Sequence, residues 1–174
     1  MTTIVIDFKR TQIASDSQTT SHMCDEYGGI VGHTQHYSHS TEKVTKVKGI
    51  YIAGAGDSDA IQREKRNYAA NGSLTKKPSG EWTIAIVQAK GDFLHVDIHK
   101  SNVKKTWYGK KYYQVSTESY LRNHGSICFG SGGSYAYAGM MTGMCAKDAV
   151  LLAAKCDIYT DTNVQVSNIL EAEE

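Results

Sequence analysis

Apolar positions fall in short β-branched runs separated by polar or glycine-bearing turns, the pattern of many strands and few helices. Thr2-Thr3-Ile4-Val5-Ile6-Asp7-Phe8 predicts a strand opening at the second residue. Lys9-Arg10-Thr11 is a polar turn and Gln12-Ile13-Ala14-Ser15-Asp16 a returning strand, so the chain begins with a hairpin. Residues 17–41 carry little apolar pattern and many Ser, Thr, His and Gly, which predicts a functional or mobile segment. Residues 44–55 read as two strands about Lys48-Gly49. Ser58 to Ala70 reads as a helix with a thin apolar face of Ala60, Ile61, Tyr68 and Ala69. Residues 82–87 and 93–98 form a further hairpin turned at Lys90-Gly91-Asp92, and a basic, aromatic region follows from Lys100 to Arg122. Ser126-Ile127-Cys128-Phe129 is a short strand running into Gly130-Ser131-Gly132-Gly133. Tyr135 to Lys155 is the best helix, and residues 157–161 and 164–166 a closing strand pair. Strands at both ends flank helices without βαβ alternation, which predicts an α+β fold of antiparallel sheets with helical layers.

Composition narrows the class. With 174 residues, 40% hydrophobic and 21% charged, the chain is long enough to fold as a single domain over residues 1–174 and too apolar to be disordered. Nineteen Lys and Arg against 18 Asp and Glu leave a net charge of +1, which removes any whole-chain argument for nucleic-acid binding. There is no apolar run of about 18 residues to cross a membrane. Residues 1–7 lack the basic and apolar regions of a secretory signal. The four cysteines form no CxxC pair, which predicts a reduced, cytoplasmic protein.

Several residues carry candidate chemistry. Methionine before a small residue is a target for removal, and Thr2 would then hold a free amine beside its hydroxyl, a nucleophile with its own base. Taken alone, a solvated Met-Thr terminus explains the feature equally. Asp16 ends the second strand and Lys43 starts the third, so a carboxylate and an ammonium can meet near the first strand; a surface salt bridge is the plainer reading. Gly54-Ala55-Gly56 before Asp57-Ser58-Asp59 offers close backbone approach and an oxyanion donor, or simply a strand–turn–helix junction capped by Ser58. Gly130-Ser131-Gly132-Gly133 lacks the Lys-Ser/Thr of a phosphate-binding loop and suits a turn presenting the Ser131 hydroxyl. His33, His36 and His39, with His22 and Cys24, have no fixed ligand spacing, so no metal site is expected. Lys100, Lys104, Lys105, Lys110 and Lys111 interleave with Trp107, Tyr108, Tyr112 and Tyr113. This could track phosphates and stack bases, but Asp97 and Glu118 dilute the patch and lysines also guard sheet edges, so nucleic acid is not the expected partner.

Taken in order, Thr2-Thr3-Ile4-Val5, Asp16-Ser17-Gln18-Thr19-Thr20, Thr41-Glu42-Lys43-Val44-Thr45-Lys46-Val47 and Ile50-Tyr51-Ile52-Ala53-Gly54-Ala55-Gly56 resemble the N-terminal half of proteasome β subunits and the bacterial HslV peptidase. Phe129-Gly130-Ser131-Gly132-Gly133-Ser134-Tyr135-Ala136 and Asp157-Ile158-Tyr159-Thr160-Asp161 resemble later segments of the same family. The resemblance implies a four-layer αββα Ntn-hydrolase sandwich of two antiparallel sheets and a threonine endopeptidase that needs no cofactor. It puts Thr2 on the nucleophile, Asp16 on the aspartate beside the lysine, Lys43 on the lysine that tunes the nucleophile and Gly56 (or Ala55) on the oxyanion donor. Ser131 falls on the serine bonded to the threonine amine and Asp161 on the aspartate near it. Peptide or unfolded protein as substrate and a homo-oligomeric ring are implied too. Between residues 59 and 126 the chain departs from the family, with one short helix in place of two, a reduced helical layer that argues against docking of an ATPase unfoldase. A catalytically silent scaffold on this fold, contacting nucleic acid through residues 100–122, is the competing reading.

Overall fold

The computed structural model describes residues 2–24, 30–37, 42–121 and 125–170 and, from 19 to 37, the backbone alone. The first hairpin pairs β1 (Thr3–Asp7) with β2 (Gln12–Asp16). Its turn is set by the buried Asp7, whose Oδ1 accepts the N–H groups of Lys9 at 3.0 Å and Arg10 at 3.2 Å while Oδ2 pairs with the Arg10 guanidinium at 2.9 Å. In place of the unpatterned segment expected after Ser17, β3 (Gln18–Cys24) and β4 (Ile30–Tyr37) form a separate two-stranded ribbon. Its strands are mostly polar, with Gln, Thr, Ser and His outnumbering the apolar residues, so no hydrophobic alternation announces them.

β5 (Val44–Val47) and β6 (Ile50–Gly56) turn through Lys48 and Gly49, both at positive φ (49° and 80°), the mirror-image turn that matches strand twist. Helix α1 (Ser58–Asn71) is capped by Asp57, not Ser58: the Asp57 carboxylate accepts from Ala60 N–H at 3.0 Å. β7 (Trp82–Lys90), β8 (Phe93–Lys105) and β9 (Lys111–Tyr120) complete an antiparallel sheet in the order β5-β6-β7-β8-β9. β10 (Ser126–Gly130) returns to pair with β1.

The single helix expected over 135–155 is two, α2 (Gly133–Met141) and α3 (Ala146–Cys156). The chain reverses at Gly143, whose φ of 89° no helix admits, and Gly139 lets the pair close, since a Cβ there would sit 3.1 Å from Leu152. Residues 157–161 are not a strand either. Asp157 folds them into a turn by accepting the Tyr159 N–H at 3.2 Å and the Thr160 hydroxyl at 2.7 Å. The last strand, β11 (Val164–Asn168), pairs with β2 instead, giving a second antiparallel sheet in the order β10-β1-β2-β11.

Alternation along the strands sorts the core. Ile4, Ile6 and Ile13 face Ala53, Val87 and Val96 of the other sheet. Val5 and Ala14 point the opposite way, onto Ala136, Ala149, Val150 and Ala153 of α2 and α3. Ile52, Ile84 and Ile86 pack beneath Ala60 and Ile61 of α1. β1 is therefore buried along its whole length, which explains its unbroken apolar run. Among the described residues α1 is the one helix between β6 and β10. Among the described residues no helix is long and apolar enough to cross a membrane.

Candidate active site

The start of β1 is tied to the end of β2 by a buried ion pair. One step beyond the Ile4–Ser15 pair, the Thr3 N–H donates to Asp16 Oδ1 at 2.7 Å. Asp16 also accepts the Gln18 N–H at 3.1 Å and both of its oxygens meet the Lys43 ammonium, at 3.1 and 3.0 Å. Lys43 donates in addition to the Gln18 carbonyl at 2.5 Å. Asp16 is fully buried and Lys43 is 5% exposed. Burial pushes the carboxyl up and the ammonium down, each opposed by the partner's charge and, for Asp16, by the backbone N–H donors. Lys43 is thereby connected to the Thr2–Thr3 peptide through the carboxylate of Asp16.

A second set of contacts fixes the other flank of Asp16. Asp161 accepts the Ser17 N–H at 3.1 Å and its hydroxyl at 2.9 Å, and Asn163 donates to the same hydroxyl at 3.0 Å. Asp161 thus connects to the ion pair through Ser17, and its charge also favours the ammonium of Lys43. The Thr3 hydroxyl meets that of Thr160 at 2.6 Å, and Thr160 donates to Asp157, so Thr3 is the donor in the first contact.

Thr2 itself, 7% exposed, lines an open cavity of about 360 Å³ with Ala55, Gly56, Glu81, Ser101, Asn102, Gly130 and Ser131. The Ser131 N–H donates to the Thr2 carbonyl at 2.9 Å. Gly130, at φ 97°, is required there, because any Cβ would run into that carbonyl. Gly56 is equally constrained: φ is 123° and a Cβ would lie 2.5 Å from the Glu81 carbonyl oxygen. Two sequence motifs 75 residues apart in numbering, ending β6 and β10, therefore meet across Thr2.

Of the six residues singled out in the sequence, Asp16, Lys43 and Asp161 share one connected network that reaches Thr2 through the Thr3 amide. Gly56 and Ser131 join Thr2 at the cavity. His39 lies outside the described residues, as do the side chains of His22, Cys24, His33 and His36. Among the described residues no group of His, Cys, Asp and Glu is arranged to hold a metal ion.

Sequence reasoning passed over Lys65. It is 5% exposed on the inner face of α1 and donates to the carbonyls of Glu42 (3.0 Å) and Lys43 (3.2 Å) and to the Thr45 hydroxyl (3.0 Å). Burial lowers its pKa to about 8. The signal was a lysine four residues after Ile61 and three before Tyr68, on the face that should be apolar. Glu81, Ser101 and Asn102 carry no motif and were not legible.

The architecture is shared with solved structures. Thiobacillus denitrificans BPH in complex with epoxomicin matches with a TM-score of 0.55 at 17% identity, over 97% of this chain and 100% of that one. A second structure of Thiobacillus denitrificans BPH matches with a TM-score of 0.54 at 16% identity, over 99% of this chain and 100% of that one. No family model and no curated protein matches the sequence. What the chain has in common with these structures is its fold, matched along nearly its full length; among the described residues that fold is an α+β arrangement of two larger antiparallel sheets, a two-stranded ribbon and three helices.

Proposed function

We propose that the chain is a threonine peptidase of the N-terminal-nucleophile class, on a proteasome-like αββα sandwich of four layers. Removal of Met1 would leave Thr2 with a primary amine, whose ordinary pKa of about 7.7–8.0 leaves a neutral fraction at neutral pH. The amine, directly or through one water, takes the proton as the Thr2 hydroxyl attacks a peptide carbonyl. The backbone N–H of Gly56, or of Ala55, receives the oxyanion, and the amine then protonates the leaving nitrogen. Water hydrolyses the resulting ester. Lys43 keeps positive potential at the nucleophile, which favours the neutral amine and the developing alkoxide. Asp16 orients Lys43, Asp161 braces Asp16 through Ser17, and Ser131 holds Thr2 in place. No metal or organic cofactor enters this scheme. Peptides and unfolded proteins are the substrates, and a homo-oligomeric ring is the working form.

One observation carries this reading: a buried lysine is held by a buried aspartate, and that aspartate accepts a hydrogen bond from the peptide N–H that follows Thr2. The likeness to a protein solved with epoxomicin supports it at the level of fold. The test is turnover of an unfolded protein and of short fluorogenic peptides by the wild type, Thr2→Ala and Lys43→Ala, with circular dichroism as the check on folding. Loss of activity by a factor of 10² or more, roughly the scale of a lost catalytic group, is expected in both folded variants. Unchanged turnover in either removes that residue from the mechanism.

A further inference from the structure

The β8–β9 hairpin reaches beyond the sheet that carries it. β7 stops pairing with β8 at Trp82–Ser101, whereas β8 and β9 continue through four more pairs, from Asn102–Gln114 to Lys105–Lys111. At about 3.4 Å per residue this is an arm roughly 13 Å long before its turn. The turn is well made. Thr106 N–H donates to the Lys110 carbonyl at 2.9 Å, Lys110 N–H to the Thr106 hydroxyl at 3.0 Å, and Gly109 supplies a φ of 86°.

What the arm displays does not suit water. Trp107 is 96% exposed and Tyr108, Tyr112 and Tyr113 are 40–63% exposed, with the Trp107 and Tyr108 rings locked edge to face at 5.5 Å. Lys105 stands directly opposite Lys111, a like-charged pair that destabilises a ladder. No carboxylate among the described residues lies within ion-pair distance of Lys104, Lys105, Lys110 or Lys111. Lys100, by contrast, is paired with Glu118 at 3.5 Å and drops out of the patch. From residue 98 to 117 there is no Asp or Glu at all. Nor do these lysines guard an edge. β9 is the edge strand, yet after Lys111 it carries no further lysine; the cations are gathered at the tip.

We propose that this arm binds single-stranded nucleic acid, its lysines on the phosphates and its rings stacked on bases. Both faces of the arm pair a cation with an aromatic: Lys105 and Lys111 with Tyr113 on one, Lys104 with Tyr112 on the other. A duplex keeps its bases stacked inside and leaves the rings unused. An acidic peptide satisfies the lysines alone. A lipid surface takes an element with apolar residues on one face and cations on the other, whereas this arm mixes the two on both faces. The inference is independent of the chemistry at Thr2.

Anisotropy of a fluorescein-labelled 20-nucleotide oligothymidine, titrated with the full chain, tests it. Four lysines predict a slope of log K against log salt of about −3, so binding weakens about 50-fold between 50 and 200 mM salt. The chain has two tryptophans and Trp82 is buried, so quenching of tryptophan emission on binding reports Trp107. Trp107→Ala weakens binding about ten-fold. Replacing Lys104, Lys105, Lys110 and Lys111 together by Gln abolishes it with the circular dichroism spectrum intact. Absence of binding at 50 mM salt overturns the proposal. So does equal affinity for polyglutamate without quenching, or binding to phosphatidylserine vesicles in preference to the oligonucleotide.

Discussion

The Asp16–Lys43 pair separates stability from activity in a way a surface pair would not. Removing one partner of a buried ion pair strands the other, at about 3–5 kcal/mol, whereas replacing both by neutral groups of similar size is often close to neutral. Lys43→Met should therefore lower the unfolding free energy by that amount. Asp16→Asn with Lys43→Met should recover most of it, and both variants should be inactive. Urea unfolding of the two, set beside their peptide turnover, checks this; a double variant as unstable as the single one would mean that the pair's surroundings, not its charge, set the cost. The meeting of Asp16 with Lys43 near the first strand was legible from their places at two strand ends, whereas Gly56 was singled out within Gly54-Ala55-Gly56 only through the family resemblance. Thr160 was not: it acts through a turn made by Asp157, and the segment reads as a strand because Ile158, Tyr159 and Thr160 favour one.

Helix α1 acts as a brace for the segment that delivers Lys43, through the three acceptors of Lys65. Its pKa of about 8 lies below the ordinary 10.5, so folding has a signature in alkali. Below pH 8 both states hold the proton and the full cost of burying an ammonium is present. Between pH 8 and 10.5 the unfolded chain binds the proton more strongly, so stability rises with pH, by at most about 3 kcal/mol. Lys65→Met should abolish that rise; urea titrations of both proteins from pH 7.5 to 10.5 measure it, and parallel profiles would contradict it. Elements with β-branched runs or a glycine-marked turn were readable in advance. The α2–α3 break was not, because a single Gly143 inside an Ala- and Met-rich run carries little weight against helix propensity summed over the whole segment.

For the whole molecule, the decisive contacts are the least local ones. β1 pairs with β10 across more than 100 residues of sequence and β2 with β11, and it is this pairing that sets Gly130 and Ser131 against Thr2. Local pattern names strands but not their neighbours, so strand order was out of reach even where each strand was foreseen. Two sheets brought face to face place a glycine-bearing strand end and the Gly130-Ser131 turn around the second residue of the chain, with Lys43 connected to the following peptide through Asp16. Peptidase chemistry at this place then depends on whether that residue carries a free amine. Intact mass spectrometry of the purified protein, before and after incubation with an epoxyketone such as epoxomicin, asks this directly. The expected result is a chain lacking Met1 that gains the full mass of the inhibitor, while Thr2→Ala gains nothing. A chain that keeps Met1, or that loses it and takes up no inhibitor, contradicts the account.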